Sequence, residues 1–389
     1  MQNNSIVFSP VRLGTLEIPN RIMRSATWEG LGDKNGFVSD KYTELYEQLA
    51  AGGTGLIVSG FLFISQAGKG PTGMAGISDD HHVEGLRKAT TAVHNKGGRI
   101  IAQLAHCGRR VAPPRQPAVV SSDSDTANIL DSEAIQKIIS DFVQAARRAK
   151  EAGFDGIQLH SAHGYLLSDF LSPHINRRND NWGGTPEGRF LIVAKILEKI
   201  RGLVGSDFPI LLKLNGSDHI AGGVDPELCA KYTGMAREQG ADAVEISGGI
   251  PESGFTTIRG DIPLILFTQG KTDLASVQTA QKKADAVKEV SAFKYCYNRD
   301  LARRVKKLTP GMTVISVGGY RTLSDMEETL SRDDADLIAM SRPLIIEPDL
   351  PDKLKNGQAT KSKCINCNIC LPYAPISGLQ CFYGQEPAI

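Results

Sequence analysis

A chain of 389 residues with 41% apolar side chains can bury the core of one large domain or of two ordinary ones. Its formal net charge of +1, from acidic and basic residues interspersed along the chain, gives no electrostatic footprint for nucleic acid or an anionic membrane, so small molecules are the expected partners. No run reaches the roughly 20 apolar residues of a membrane helix, and the opening MQNNSIVFSP lacks the basic and apolar regions of a secretory leader, so a cytoplasmic location is expected.

Short β-branched or apolar runs alternate with helical patterns along the chain. The strands read, in order, at Asn20–Ala26, Gly55–Gly60, Arg99–Ala105, Asp155–His160, Pro209–Asn215, Ala241–Gly248, Met312–Gly319 and Ala335–Arg342. Between them, Asp131–Ala152 places Ile135, Ile138, Ile139 and Phe142 on one helical face, with Gly153 as its stop. Further helices read at Gly188–Val204, Pro226–Gln239 and Ser324–Leu330, the last opening with the capping box Ser324-x-x-Glu327. Strict alternation demands a parallel sheet with right-handed crossovers, and eight units predict an α/β fold closed as a (β/α)8 TIM barrel over residues 1–357. No G-x-G-x-x-G or P-loop follows any strand, which argues against an open dinucleotide-binding sheet. Residues 250–310 are too long for an ordinary connection and are expected to form a lid over the barrel mouth. A short cysteine-containing C-terminal tail occupies 358–389.

Barrel enzymes carry their chemistry on the loops after the strands. Those positions hold Ser25, Ala26, Thr27 and Trp28 after the first strand, Gly60 after the second, and His160, His163 and Tyr165 after the fourth. Ser247 and Gly248 end the sixth, while Gln103 and Lys213 lie within the third and fifth. Gly318 and Gly319, with Ser341 and Arg342 after the last strand, have the composition of a phosphate cradle, although glycines also serve barrel turns for conformational reasons. Two histidines and a tyrosine within six positions of a strand end mark the strongest candidate for chemistry.

The segments LGTLEIPNRIMRSATWEG, AQLAHCGRR, HSAHGYLLSDFLSPHINRRNDNWGGTPEGR, ILLKLNGSD, VISVGGYR and ADLIAMSRPLIIEPDLP, in this order, resemble the Old Yellow Enzyme-like NADH:flavin oxidoreductases. These are FMN-containing TIM barrels that reduce activated C=C bonds. The resemblance implies that Ser25, Ala26 and Thr27 line the flavin, that Gly60 packs beside it and that Gln103 bonds its pyrimidine edge. Trp28, Ser247 and His160 border the cofactor, Lys213 supplies a cation near its N1 and C2 carbonyl, and Gly318, Gly319, Ser341 and Arg342 hold its phosphate. It also implies that His160 and His163 donate hydrogen bonds to the substrate's activating oxygen, each worth roughly 3 kcal/mol in the transition state. Tyr165 stands where the family has its proton donor, protonated at neutral pH with an ordinary phenol pKa of about 10. Arg177, Arg178 and Asp180 in the SPHINRRNDNWGG segment are read as a structural polar network.

Two features depart from the family pattern. Trp28 occupies a place where better-known relatives carry a small Thr or Cys beside the flavin. The tail reads C-x2-C-x2-C-x10-C over Cys364, Cys367, Cys370 and Cys381, a spacing that suits zinc or an iron-sulfur cluster. Larger members carry a [4Fe-4S] cluster on a run with one more residue in each of the last two gaps. Free thiols in a capping or oligomer-forming segment are the other reading, and a homo-oligomer is left open. Cys107, Cys229 and Cys296 are scattered, and an odd total of seven argues against a disulfide framework. With the sequence stopping at Ile389, direct reduction of FMN by NADH or NADPH is expected. The alternatives are a flavin dehydrogenase or demethylase that passes electrons to a partner, and a non-catalytic ligand-binding barrel.

Overall fold

After a 3-10 turn at Ile6–Phe8 the chain forms a hairpin, β1 (Val11–Leu13) pairing antiparallel with β2 (Leu16–Ile18) around Gly14 in the left-handed region. In the computed structural model, which describes residues 4–121, 129–268 and 273–385, the hairpin's apolar face closes the N-terminal end of a barrel. Leu13 and Ile18 are fully buried against Met23, Leu56, Ile101 and Leu211.

The barrel strands are β3 (Ile22–Arg24), β4 (Leu56–Phe63), β5 (Ile100–Ala105), β6 (Ile157–Ser161), β7 (Ile210–Asn215), β8 (Ala243–Ser247), β9 (Thr313–Val317) and β10 (Leu337–Met340). Each pairs in parallel with its predecessor, and β10 pairs back onto β3 to close the ring. All eight expected strands are present. Their outward residues pack under helices whose apolar faces the sequence pattern located. Ser132–Glu151 is capped by Asp131, which accepts the Ala134 N–H, and it buries Ile135, Ile139 and Phe142 before Gly153 turns the chain at positive φ. The helix expected from Gly188 begins at Pro186, because Thr185 caps it and a proline fits the first helical position. The expected capping box at Ser324 is not used. Thr322 has the extended backbone of a cap and accepts the Asp325 N–H, so Ser324 falls inside the first turn of Leu323–Ser331.

Between β8 and β9 the chain forms two 3-10 turns, Pro251–Ser253 and Phe255–Ile258, then helices Ile265–Thr268 and Leu274–Ser291. The following helix, Arg299–Leu308, packs on Pro226–Glu238 and belongs to the barrel's own outer ring, so the inserted part ends before residue 299. The tail returns to the mouth. Its helix Cys370–Ser377 lies against the loop after β3, where the Leu379 N–H donates to the Glu29 carbonyl (2.7 Å). No helix among the described residues is long and apolar enough to cross a membrane.

The hairpin plug generates a prediction. Leu13→Ala should destabilise the protein by about 3 kcal/mol through lost burial and a residual cavity. A denaturant titration checks it; a change near zero would mean that the hairpin does not close the barrel.

Candidate active site

At the carboxyl ends of the strands a cavity of about 800 Å³ opens, within the usual range of ligand sites. Its floor is polar, which is rare inside a barrel core. In parallel register His160 on β6 lies beside Lys213 on β7, and Lys213 beside Glu245 on β8. Lys213 Nζ is 2.9 Å from Glu245 Oε1 and donates to Ser25 Oγ at 2.7 Å. The Ser25 hydroxyl in turn donates to Glu245 Oε1 (2.6 Å), and Gln158 Nε2 donates to Oε2 (2.8 Å). Gln103 Nε2 donates to Gln158 Oε1 (2.7 Å), which leaves the Gln103 carbonyl as the acceptor at the end of the row. All five side chains are buried.

One corner of the cavity collects His160, His163 and Tyr165. The chain leaves β6 and turns through His163 and Gly164, both at positive φ, and this reversal brings the Tyr165 ring 4.6 Å from that of His160. A Cβ on Gly164 would stand 2.4 Å from Pro251, so the turn is glycine's for two reasons. His163 is held at three points: its N–H donates to Asn215 Oδ1, its carbonyl accepts from Arg110, and its Nε2 lies 2.7 Å from Ser247 Oγ. The Arg110 guanidinium sits 4.6 Å from the centre of the Tyr165 ring. Burial pushes the Tyr165 phenol above its ordinary pKa, with Arg110 opposing, so it stays protonated at neutral pH. Burial, reinforced by Lys213 and Arg110, holds His160 well below the ordinary histidine value; burial and neighbouring His160 do the same for His163. Both imidazoles are neutral at pH 7.

The opposite end of the cavity holds Gly318, Gly319, Ser341 and Arg342. Ser341 Oγ is 2.7 Å from Thr27 Oγ1. The glycines are also required by packing, since a Cβ on Gly318 would meet the Tyr297 ring at 2.5 Å and one on Gly319 the Lys294 carbonyl at the same distance. Arg342 donates to Asn368 Oδ1 on the tail, and Asn368 Nδ2 donates to the carbonyls of Ile258 (3.0 Å) and Asp261 (2.9 Å) in the insertion. One asparagine therefore ties barrel, insertion and tail together.

Of the residues expected to bind the flavin or the substrate, all line this one cavity except Gly60. Gly60 instead lies behind the wall, where its N–H donates to Glu29 Oε1 (2.7 Å) and where a Cβ would clash with that carboxylate at 2.0 Å. The expected structural network is present around Arg178, which pairs with Asp180 and donates to the carbonyls of Val120 and Leu130. Sequence reasoning missed Glu245, Gln158, Arg110 and Arg321. The first two had a signal: each is a polar residue inside an apolar strand, two positions before a site residue on the same inward face. The tail cysteines Cys364, Cys367, Cys370 and Cys381 border a second, small cavity that shares Arg342 and Asn368 with the large one. All four are free, burial pushes the Cys370 thiol up to about 12, and no set of three or more His, Cys, Asp or Glu among the described residues stands in a metal-holding arrangement.

Residues 6–249 and 266–361 match the model of the NADH:flavin oxidoreductase / NADH oxidase family. The chain belongs to this family. Its members are FMN oxidoreductases that draw on NADH or NADPH, and the unmatched stretch falls at the start of the insertion. The chain is 33% identical over 373 residues to a metal reductase of Desulforamulus reducens (94% of this chain, 51% of that protein). It is 33% identical over 374 residues to an NADH oxidase of Thermoanaerobacter brockii (93% and 53%). It thus spans about half the length of these curated relatives. Among solved structures it resembles a 2-naphthoyl-CoA reductase (TM-score 0.83, 25% identity, 97% of this chain and 56% of that one). It also resembles an Old Yellow Enzyme homologue from Zymomonas mobilis (TM-score 0.73, 28% identity, 93% and 95%).

The cavity of this flavin oxidoreductase fits an FMN. Buried Trp28 Nε1, His160 Nδ1 and Arg321 Nε line it or its rim without hydrogen-bond partners, so polar atoms await a ligand there. The Arg321 guanidinium adds a cation to the Arg342 end, where a phosphate would sit.

Because the fold favours neutral His160 and His163, the unfolded state binds more protons once the pH falls below 6.5, the ordinary value. Stability contributed by the pair is present above that pH and is lost as pH falls toward the depressed values. Between pH 7 and pH 5 the native protein should lose thermal stability more steeply than a His160→Asn/His163→Asn variant. Thermal midpoints across that range check this; parallel slopes would contradict it.

Proposed function

We propose that this chain reduces the activated C=C bond of α,β-unsaturated carbonyl compounds, with hydride supplied by NADH or NADPH through bound FMN. The observation that carries the reading is the convergence of His160, His163 and Tyr165 on one corner of a cavity whose floor is the Lys213 row. FMN, when held by Ser25, Thr27, Gln103, Lys213, Ser341 and Arg342, supplies hydride chemistry at its N5 position.

The residues divide the remaining work. His160 and His163, neutral and preplaced, donate hydrogen bonds to the substrate oxygen as negative charge develops on it. The rigid turn through His163 and Gly164 means that little reorganisation is needed at that moment. Tyr165 Oη holds the proton that the substrate's α-carbon takes. As that proton leaves, the Arg110 cation over the ring stabilises the phenolate, and solvent at the mouth restores the proton. Phe61, Pro71 and Phe255 on the walls exclude water from the reacting carbons. A soluble protein of this kind suits a cytoplasmic setting, where both nicotinamide cofactors are at hand. No step is assigned to the tail cysteines.

The reading is tested by an anaerobic spectrum of the pure protein before and after NADH, with iron and zinc measured in the same sample. A flavin band that bleaches with NADH and recovers on adding an enone is expected. Flavin that stays oxidised would favour a dehydrogenase that passes electrons to a partner, and colourless protein a ligand-binding barrel. Tyr165→Phe should lower enone turnover by roughly 10²- to 10⁴-fold while NADH still bleaches the flavin. Replacing His160 and His163 together by alanine should abolish binding of phenols, and unchanged enone kinetics in that variant would remove the site assignment.

A further inference from the structure

We propose that Glu245 is a positioning residue that sets the reduction potential of bound FMN by compensating the charge of Lys213. The inference rests on the FMN reading above and extends it to a residue that never faces the substrate.

Its basis is the enclosure of the pair. The Lys213 ammonium and the Glu245 carboxylate are 2.9 Å apart, with side-chain exposures of 5% and 0%. Glu245 takes no part in lining the cavity, whereas Lys213 does. The carboxylate accepts from Lys213 and Ser25 on one oxygen and from Gln158 on the other, a salt bridge with charge-assisted hydrogen bonds on both oxygens. In a site this dry, a charge is felt over longer distances than in water. Lys213 therefore does not present a bare cation to the cavity floor; it presents one end of a near-neutral pair.

That difference acts on the cofactor. Reduction by hydride adds two electrons and one proton and leaves an anionic isoalloxazine, which one further proton would neutralise. An uncompensated cation at the floor favours the anion and raises the potential; a compensated one favours it less. Glu245 also fixes the amide row, because an acceptor-only carboxylate turns the Gln158 amide group toward itself and the Gln158 carbonyl toward Gln103. The two effects are separable by charge bookkeeping in mutants.

The experiment measures the two-electron potential of the FMN-loaded protein by stepwise anaerobic reduction with dithionite beside a redox dye of known potential. Glu245→Gln keeps the side-chain shape and removes the charge. It should shift the reduction equilibrium at least tenfold toward reduced flavin, a rise of about 30 mV for a two-electron couple. Lys213→Met should shift it in the opposite direction, and Lys213→Met/Glu245→Gln, neutral like the native pair, should return close to the native value. A Glu245→Gln potential at or below the native one overturns the proposal. So does an identical potential for Lys213→Met with and without Glu245→Gln, a comparison that stands even if the single glutamine variant does not fold. If Glu245 only packed the floor, its replacement would weaken FMN retention without ordering the potentials by charge. Native protein that takes up no FMN would overturn the cofactor reading itself, and is told apart by the lack of any flavin to titrate.

Discussion

Enclosing a charged pair in an apolar barrel is the constraint on which the rest of the mouth depends. Desolvating an ammonium and a carboxylate costs several kcal/mol for each ion, and their attraction offsets this only when the remaining donors and acceptors are satisfied. Around Lys213 and Glu245 that requirement recruits Ser25 from just past the end of β3 and Gln158 from β6, and through Gln158 it orients Gln103 on β5. Four strands and the residue just past β3 thus contribute to one polar floor. Below it the barrel reverts to Met23, Val58, Leu211 and Ile315, sealed at the far end by the hairpin's Leu13 and Ile18. Apolar packing beneath and a satisfied polar layer above give the site a rigid base on which a flat cofactor can be held.

The walls come from segments that the barrel repeat does not supply. Pro251, Gly254 and Phe255 from the insertion line the cavity together with Tyr165 and Arg110, and Arg109 ties the insertion to the barrel by pairing with both Asp169 and Glu252. At the other end Asn368 binds Arg342 while reaching carbonyls of the insertion. The cysteine tail therefore borders the end of the site read as the phosphate cradle, with Cys370, Arg342 and Asn368 lining both cavities. Trp28 lines the cavity and packs against the cluster of Phe61, Phe63, Met74 and Val111, with its buried indole N–H lacking a hydrogen-bond partner.

Family membership accounts for the barrel, and the shared frame extends over nearly the whole chain. Relatives that carry the same frame bear names as different as metal reductase and NADH oxidase. The family model leaves unmatched the start of the insertion at 250–265 and the tail that closes on it.

Much of this was legible in the linear chain because it depends on short-range periodicity. Eight apolar runs separated by capped amphipathic helices specify a parallel barrel, and barrel topology places strand-end residues such as His160, Tyr165 and Arg342 at one mouth. Capping was legible where one candidate stood alone, as at Asp131, and misread where Thr322 and Ser324 competed, since backbone conformation chooses between them. The family resemblance placed Gly60 beside the flavin, yet β4 bulges between Val58 and Phe61 and turns it toward Glu29. The sequence by itself determined the fold, the order of the site residues and the family. Only the tertiary structure decided that Lys213 shares its charge with Glu245, that Arg110 lies over Tyr165 and that the tail grips Arg342. These are contacts between residues far apart in the chain, and their energies depend on burial and register that no local pattern encodes.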